Sequence, residues 1–325
     1  MSTILFILPY FGKLPTYFQL YLNSCKANPD ICWLIVTDNN MQQYSIPPNV
    51  MVRQMSFTSL QDMIANKFGT HILAPYELCN YKVAYHDLFE EANNYDFWGF
   101  CDCDLIWGNL RNFITDDVLN NFDKISWRGH MTLFRNDTKI NNAYKIEIPG
   151  FKTFRGCIEG SEGINLFDEV GINKIFDHEG LSTYKKIPFA DLKIRSANFK
   201  CLHNIFPEQS NGHAIFRWDE NNGLELIYYT YNNEIKTQQA AYVHFLKRPM
   251  KVAGNNLSKS MLIVPNSFID DRDITVPLIK KYSRNKIYWS YYIKRLNLRF
   301  LKSKIEYIVK HRNQKPDQYT VTSEQ

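Results

Sequence analysis

Up to about residue 105, uninterrupted apolar runs alternate with stretches whose apolar residues recur every three or four positions. ILFIL (4–8) reads as a strand buried on both faces, closed by the turn Pro9-Tyr10-Phe11-Gly12. Leu14, Phe18, Tyr21, Leu22 and Cys25 then fall at helical spacing, with Pro15 suited to the first turn. ICWLIVTD (31–38) is a second apolar run ending in Asp38, and NVMVRQM (49–55) predicts a third strand. In LCNYKVAYHDLFEEA (78–92), Leu78, Val83, Leu88 and Phe89 share an approximate helical face, so a helix is expected; YDFWGFCDCD (95–104) is a further strand ending in acids. Strands alternating with helices of this length imply βαβ units and a mostly parallel sheet, an α/β fold. Later the pattern becomes mixed: HMTLF, AIFRW, LELIYY and AYVHF are short strand-like runs separated by Gly- and Asn-rich loops.

A chain of 325 residues suits one large α/β domain with an appendage. The first apolar run is too short for a signal peptide and lacks a basic lead, and no stretch reaches the roughly 18 apolar residues of a membrane span. Seven scattered cysteines without metal-type spacing fit reduced thiols in a cytoplasmic setting better than a disulfide framework. The net charge of +5 is concentrated at one end. Ten basic residues and one acid, Glu306, lie between Arg284 and Lys315; without them the 38 basic and 33 acidic residues fall to 28 against 32. Trp289, Ile293, Leu296 and Phe300, then Leu301, Ile305 and Ile308, recur at helical steps among those bases. The division expected is a catalytic domain over 1–270 and a basic amphipathic tail over 271–325. The tail suits an anionic membrane surface at the inner face of the cell membrane, against the alternatives of a helix docked on the domain and of nucleic acid, which is not the expected partner.

FWGFCDCDLIWG carries the most chemistry. In an extended segment, residues two apart share a face, so Asp102 and Asp104 converge while Cys101 and Cys103 point away. Two carboxylates at a strand end form a hard-oxygen site for Mn²⁺ or Mg²⁺ held with diphosphate oxygens. In open α/β sheets ligands bind beyond the carboxyl ends of strands, and here those ends carry Pro9–Gly12, Asp38 and the Asp102/Asp104 pair. A nucleotide base over Pro9, Tyr10, Phe11 and Gly12, with Asp38 accepting from base or ribose, would span this rim.

LCNYKVAYHDLF, YDFWGFCDCDLIWGNLRNFI, RGHMTLFRN, FDEVG and VHFLKRPM, in that order, resemble a largely uncharacterised family of bacterial GT-A-type glycosyltransferases associated with capsule and lipopolysaccharide clusters. The resemblance covers roughly residues 1–250. It implies a GT-A-like, Rossmann-type mixed sheet flanked by helices, a D-x-D metal motif, and transfer from a nucleotide-sugar donor to a glycan or lipid-linked glycan acceptor. Uridine diphosphate is the commonest donor nucleotide in such families, and galactose stands as the sugar. Where relatives usually carry Asp, this chain has Asn80, so no charge is implied there. His244 looks like the late histidine that supplements the metal ligands of many GT-A enzymes; Lys247 and Arg248 behind it suit donor phosphates, and Lys82 ahead of the D-x-D strand either meets a donor phosphate or is a solvated lysine on a helix face. Asp168 or Glu169, ahead of a helical run, takes the place of the base in enzymes that invert configuration, with Asp191 in reserve. His130 either lines the sugar pocket or packs beneath a loop.

Two rivals remain. A phosphatase using the first Asp of D-x-D as nucleophile would show D-x-D-x-[TV] near the N-terminus, whereas Ile106 holds the last motif position here. A non-catalytic nucleotide-sugar-binding scaffold would keep the rim and need no acid at 168 or 169.

Overall fold

The computed structural model describes residues 1–159, 165–192, 199, 201–202, 210–246 and 248–283. Three sheets organise them. The first runs β3 (Val50–Gln54), β2 (Cys32–Thr37), β1 (Ile4–Pro9), β4 (Phe97–Cys101), β7 (Met131–Arg135), β6 (Lys124–Arg128), β8 (Thr183–Tyr184). The second runs β10 (Cys201–Leu202), β9 (Phe189–Leu192), β14 (Tyr242–His244), β5 (Leu105–Trp107). The third runs β13 (Ile235–Ala240), β12 (Gly223–Thr230), β11 (Ser210–Asp219), β16 (Ser260–Val264), β17 (Ser267–Asp270), β15 (Lys251–Val252). With helices against them, they make the mixed α/β fold that the alternating runs predict.

The continuous apolar run of β1 has its reason in two cores. Ile4, Phe6 and Leu8 enter one hydrophobic cluster while Leu5 and Ile7 enter another, as the strand's two-residue period requires. Phe6 lies 5.8 Å from the Trp33 ring and 5.4 Å from the Trp107 ring, so one cluster ties the first sheet to the second. Helix α1 (Phe18–Lys26) buries Phe18, Tyr21, Leu22 and Cys25 there. Helix α2 (Phe57–Phe68), capped by the Ser56 side chain and stopped by left-handed Gly69, buries Leu60, Ile64 and Phe68 on the other side.

β1 pairs in parallel with β2 and β4, and β2 with β3, so four carboxyl ends share one edge. β7 is antiparallel to β4, with Met131 opposite Cys101, which brings Gly129 and His130 to the same edge. That pairing needs Gly99: a Cβ there would stand 2.0 Å from the Thr132 carbonyl oxygen.

The helix expected over 78–92 is broken. Pro75–Ala84 is a 3₁₀ helix, Tyr85–Leu88 a single α turn and Glu90–Asn94 a second 3₁₀ segment. Leu78, Asn80, Tyr81, Lys82, Val83 and Ala84 are all buried, so no solvated stripe exists to favour the α period, and packing around the segment sets its winding. Beyond residue 270, helix Val276–Tyr282 sinks Ile279 among Ile215, Ile227 and Leu262 of the third sheet. Residues 284–325, which carry the basic tail, lie outside the described residues. Among the described residues no helix is long and apolar enough to cross a membrane.

Candidate active site

β4 stops at Cys101, and the chain bends through Asp102, Cys103 and Asp104 before entering β5. The Asp102 amide donates to the His130 carbonyl at 3.0 Å and the Phe245 amide to the Asp104 carbonyl at 2.9 Å, so the bend is pinned from both sides. Cys101 and Cys103 are buried in the core, while Asp102 and Asp104 face the rim, as the two-residue spacing predicts.

His244, at the end of β14, sits opposite Leu105 in register and meets both acids. Its Nε2 lies 3.4 Å from Asp104 Oδ1 and 3.9 Å from Asp102 Oδ2. Its Nδ1 lies 3.0 Å from Asp191 Oδ1, on neighbouring β9. A carboxylate at that distance fixes the hydrogen on Nδ1, which turns the Nε2 lone pair of a neutral ring toward Asp102 and Asp104. Burial opposes charge on the ring, but Asp104 and Asp191 outweigh it and push its pKa up to about 10.

Asp102, Asp104 and His244 thus present three ligand atoms within 4.8 Å of one another, a donor set that suits Mn²⁺ or Mg²⁺ with coordination left for phosphate oxygens. His130, Asp191 and His244 form a second group of the same span. There the His130 and His244 rings stack at 4.3 Å and 30°, which sets their in-plane lone pairs side by side rather than converging on one point. The rim group is the better metal site.

Lys82 departs from the expectation of a cation free to meet a phosphate. It is buried, and its Nζ donates to Asp102 Oδ1 at 2.7 Å and to the Gly129 carbonyl at 2.6 Å, with Asp168 Oδ2 at 3.9 Å. Burial disfavours the ammonium, yet Asp102, with Cys79 and Asp168, holds its pKa well above the ordinary lysine range. Asp168 and Glu169 open a single π turn, Phe167–Gly171, that leads into helix Ile172–His178. Asp168 is 5% exposed, and burial, against the pull of Lys82, raises its pKa to about 7. Glu169 Oε1 accepts the Gly129 amide at 2.8 Å. A Cβ on Gly129 would come 2.6 Å from Asp168 Oδ2 and 3.0 Å from Glu169 Oε1, so a larger residue there would displace both carboxylates.

The other expected residues divide. Pro9 and Tyr10 are half-buried and Gly12 exposed at the end of β1, where Thr37 Oγ1 and Asn39 Nδ2 donate to the Tyr10 and Gly12 carbonyls. Tyr10 is close enough that Cys103, Asp104 and Asp102, added to burial, raise its hydroxyl pKa far above the usual value. Phe11 is buried against Phe57 at 5.6 Å and serves the core. Asp38 is exposed just past β2. Arg248 is 2% exposed, its guanidinium 5.5 Å from the Phe199 ring centroid and 3.3 Å from Asn266 Oδ1, a setting in the third-sheet core rather than at the rim. Lys247 lies outside the described residues.

Residues 6–272 match one family model, a span that takes in nearly all of the three sheets. The chain belongs to the family of unknown function DUF6625. No curated protein matches it. Among solved structures, it is similar to the glycosyltransferase GlyE of Streptococcus pneumoniae TIGR4, 12% identical over 56% of this chain and 44% of that one with a TM-score of 0.29. The apo form of the same protein gives 11% identity over 57% and 45%, with a TM-score of 0.26. The chain spans less than half the length of those structures. Likeness of that size carries no role to any residue of this family member, whose site rests on its own geometry.

The orienting contact is testable. Asp191→Asn is expected to weaken Mn²⁺ binding about 10- to 100-fold, as removal of a carboxylate behind a ligating histidine does, with little change in melting. Calorimetric titration with Mn²⁺ checks this, and unchanged affinity would remove Asp191 from that role.

Proposed function

We propose that the chain is a metal-dependent glycosyltransferase that moves a sugar from a nucleotide-diphosphate donor, with uridine diphosphate the first nucleotide to test, to a glycan or lipid-linked glycan acceptor. The observation that carries this is the convergence of Asp102, Asp104 and His244, with His244 aligned by Asp191, at the carboxyl end of the parallel strands β1 and β4.

Asp102, Asp104 and His244 would hold Mn²⁺ or Mg²⁺, which when bound supplies positive charge to the departing nucleoside diphosphate. The half-buried loop Pro9–Tyr10, Gly12 and exposed Asp38 border the same edge and form the platform for base and ribose. Asp168, with a pKa near the working range, takes the proton of the acceptor hydroxyl in an inverting reaction. Glu169 holds the Gly129 turn in place, and Lys82 keeps Asp102 and Asp168 from repelling each other. A position at the inner membrane face rests on the sequence of the tail alone: ten bases interleaved with an apolar stripe.

A nucleotide-release screen over nucleotide sugars with Mn²⁺ or Mg²⁺ separates this from its rivals. Metal-dependent release of nucleoside diphosphate from one donor is the expected result. Preferential cleavage of phosphomonoesters would replace it with the phosphatase reading, and no turnover of any donor with the scaffold.

A further inference from the structure

A concavity of about 570 Å³ lies on the third sheet away from the acidic cluster. Its walls come from the turn between β11 and β12, from β13, and from the segment that leaves β5. Asn109, Asn112, Asn221, Asn222 and Gln239 supply amides, Asp219, Glu225 and Asp271 carboxylates, and Arg217 a guanidinium. Among the described residues no apolar side chain lines it.

The lining excludes most ligand classes. Three carboxylates face one guanidinium, and Arg217 Nε already donates to Asp271 Oδ1 at 3.0 Å, so phosphate and other anions would meet net repulsion. The carboxylates do not converge as metal ligands: among the described residues, the groups able to hold an ion lie at Asp102, Asp104, Asp191, His130 and His244. An apolar or aromatic ligand would find nothing to cover it. A neutral ligand dense in hydroxyls remains, because amides both donate and accept and carboxylates accept from O–H groups. One acceptor is preset for this. Asp219 Oδ1 is committed to the Asn221 and Asn222 amides, which fixes the turn, while Gln239 Nε2 is committed to Glu225 Oε1 at 2.8 Å and leaves Gln239 Oε1 buried without a hydrogen-bond partner.

We propose that this cleft is a second carbohydrate-binding site, for a neutral oligosaccharide, distinct from the site at Asp102. Five residues separate the two along the chain on each side: Asp104 from Asn109 through β5, and Gln239 near the end of β13 from His244 at the end of β14, at most about 16 Å at about 3.3 Å per extended residue. The cleft holds a glycan chain to the protein without taking part in transfer, and its existence does not depend on the reading of the acidic cluster.

Saturation-transfer NMR with neutral hexose and N-acetylhexosamine tri- and tetrasaccharides tests it, beside a sulfated oligosaccharide and inorganic phosphate. The proteins are the full chain, Asp104→Ala, Gln239→Leu, and a variant filled at the exposed rim by Asn112→Trp and Asn221→Trp. The expected result is transfer to at least one neutral oligosaccharide, kept in Asp104→Ala and at least tenfold weaker in Gln239→Leu and in the filled variant. Absence of transfer to every neutral probe, binding that survives filling of the cleft, loss in Asp104→Ala, or preference for the anionic probes would each overturn the proposal.

Discussion

Asp104→Ala and Asp102→Ala are each expected to cut sugar transfer at least about 100-fold, the order lost when one preorganised charge is removed from a transfer site. Chelator should do the same to the parent protein, and Mn²⁺ or Mg²⁺ should restore it. The two variants should differ in stability. Asp104 faces the rim with His244 beside it, so its loss leaves a buried imidazole that can shed its proton. Asp102 is the nearest counter-charge of buried Lys82, an ammonium that burial penalises, at 2.7 Å. Removing one partner of a buried pair costs about 3–5 kcal/mol. Asp102 is a third exposed and Asp168 remains within reach of the lysine, so about 2 kcal/mol is expected here. Asp102→Ala should therefore melt several degrees below Asp104→Ala, and Asp102→Ala with Lys82→Met should recover part of the difference. Turnover in chelator, or full activity of Asp104→Ala, would remove the metal from the reaction; equal melting of the single variants would remove Lys82 from its pairing role.

The residues of this site were legible to unequal degrees, for a physical reason. Asp102 and Asp104 stand two apart after an apolar run, and a strand's alternation is local, so their shared face follows from the chain itself. Asp191 and His244 are far apart in sequence and meet only because β9 and β14 pair in parallel, with His244 opposite Asp191. No local periodicity encodes that register, and Asp191 reads from sequence as a spare base rather than as the group that aligns His244. The setting of Lys82 escapes the sequence for a related reason. Three- and four-residue spacing over 78–92 suggests a helix with a wet face, whereas Asn80–Tyr85 is buried and its lysine points inward to the acids. Arg248, next to a histidine of the site, looks from sequence like a phosphate ligand; it follows β14 into the third-sheet core. Asn80 holds the Asn165 amide at 2.8 Å through its side-chain oxygen, a bond that needs an acceptor and no charge.

Asp168→Asn should lower transfer by about 100-fold or more, since general-base catalysis contributes on that order, and leave donor binding nearly unchanged. Its effect on stability has the opposite sign to an ordinary loss of a buried contact. In the folded chain burial raises the Asp168 pKa from 3.8 to about 7. Between those values the folded state keeps a proton that the unfolded chain has released, so this group's contribution to stability is fully present below about pH 4 and is lost as pH rises through about 7. Asparagine has the same shape and stays neutral, and it removes this slope. The metal-free variant should therefore match the parent near pH 4 and melt several degrees higher at pH 8, the rise from 3.8 to about 7 corresponding to about 4 kcal/mol. Melting curves of both proteins in chelator across pH 4 to 8, beside rates and donor titrations at pH 8, decide the matter. A carboxyl that only packs would give no such gain and little loss of rate. A carboxyl kept at a cost in stability because the reaction needs it gives both.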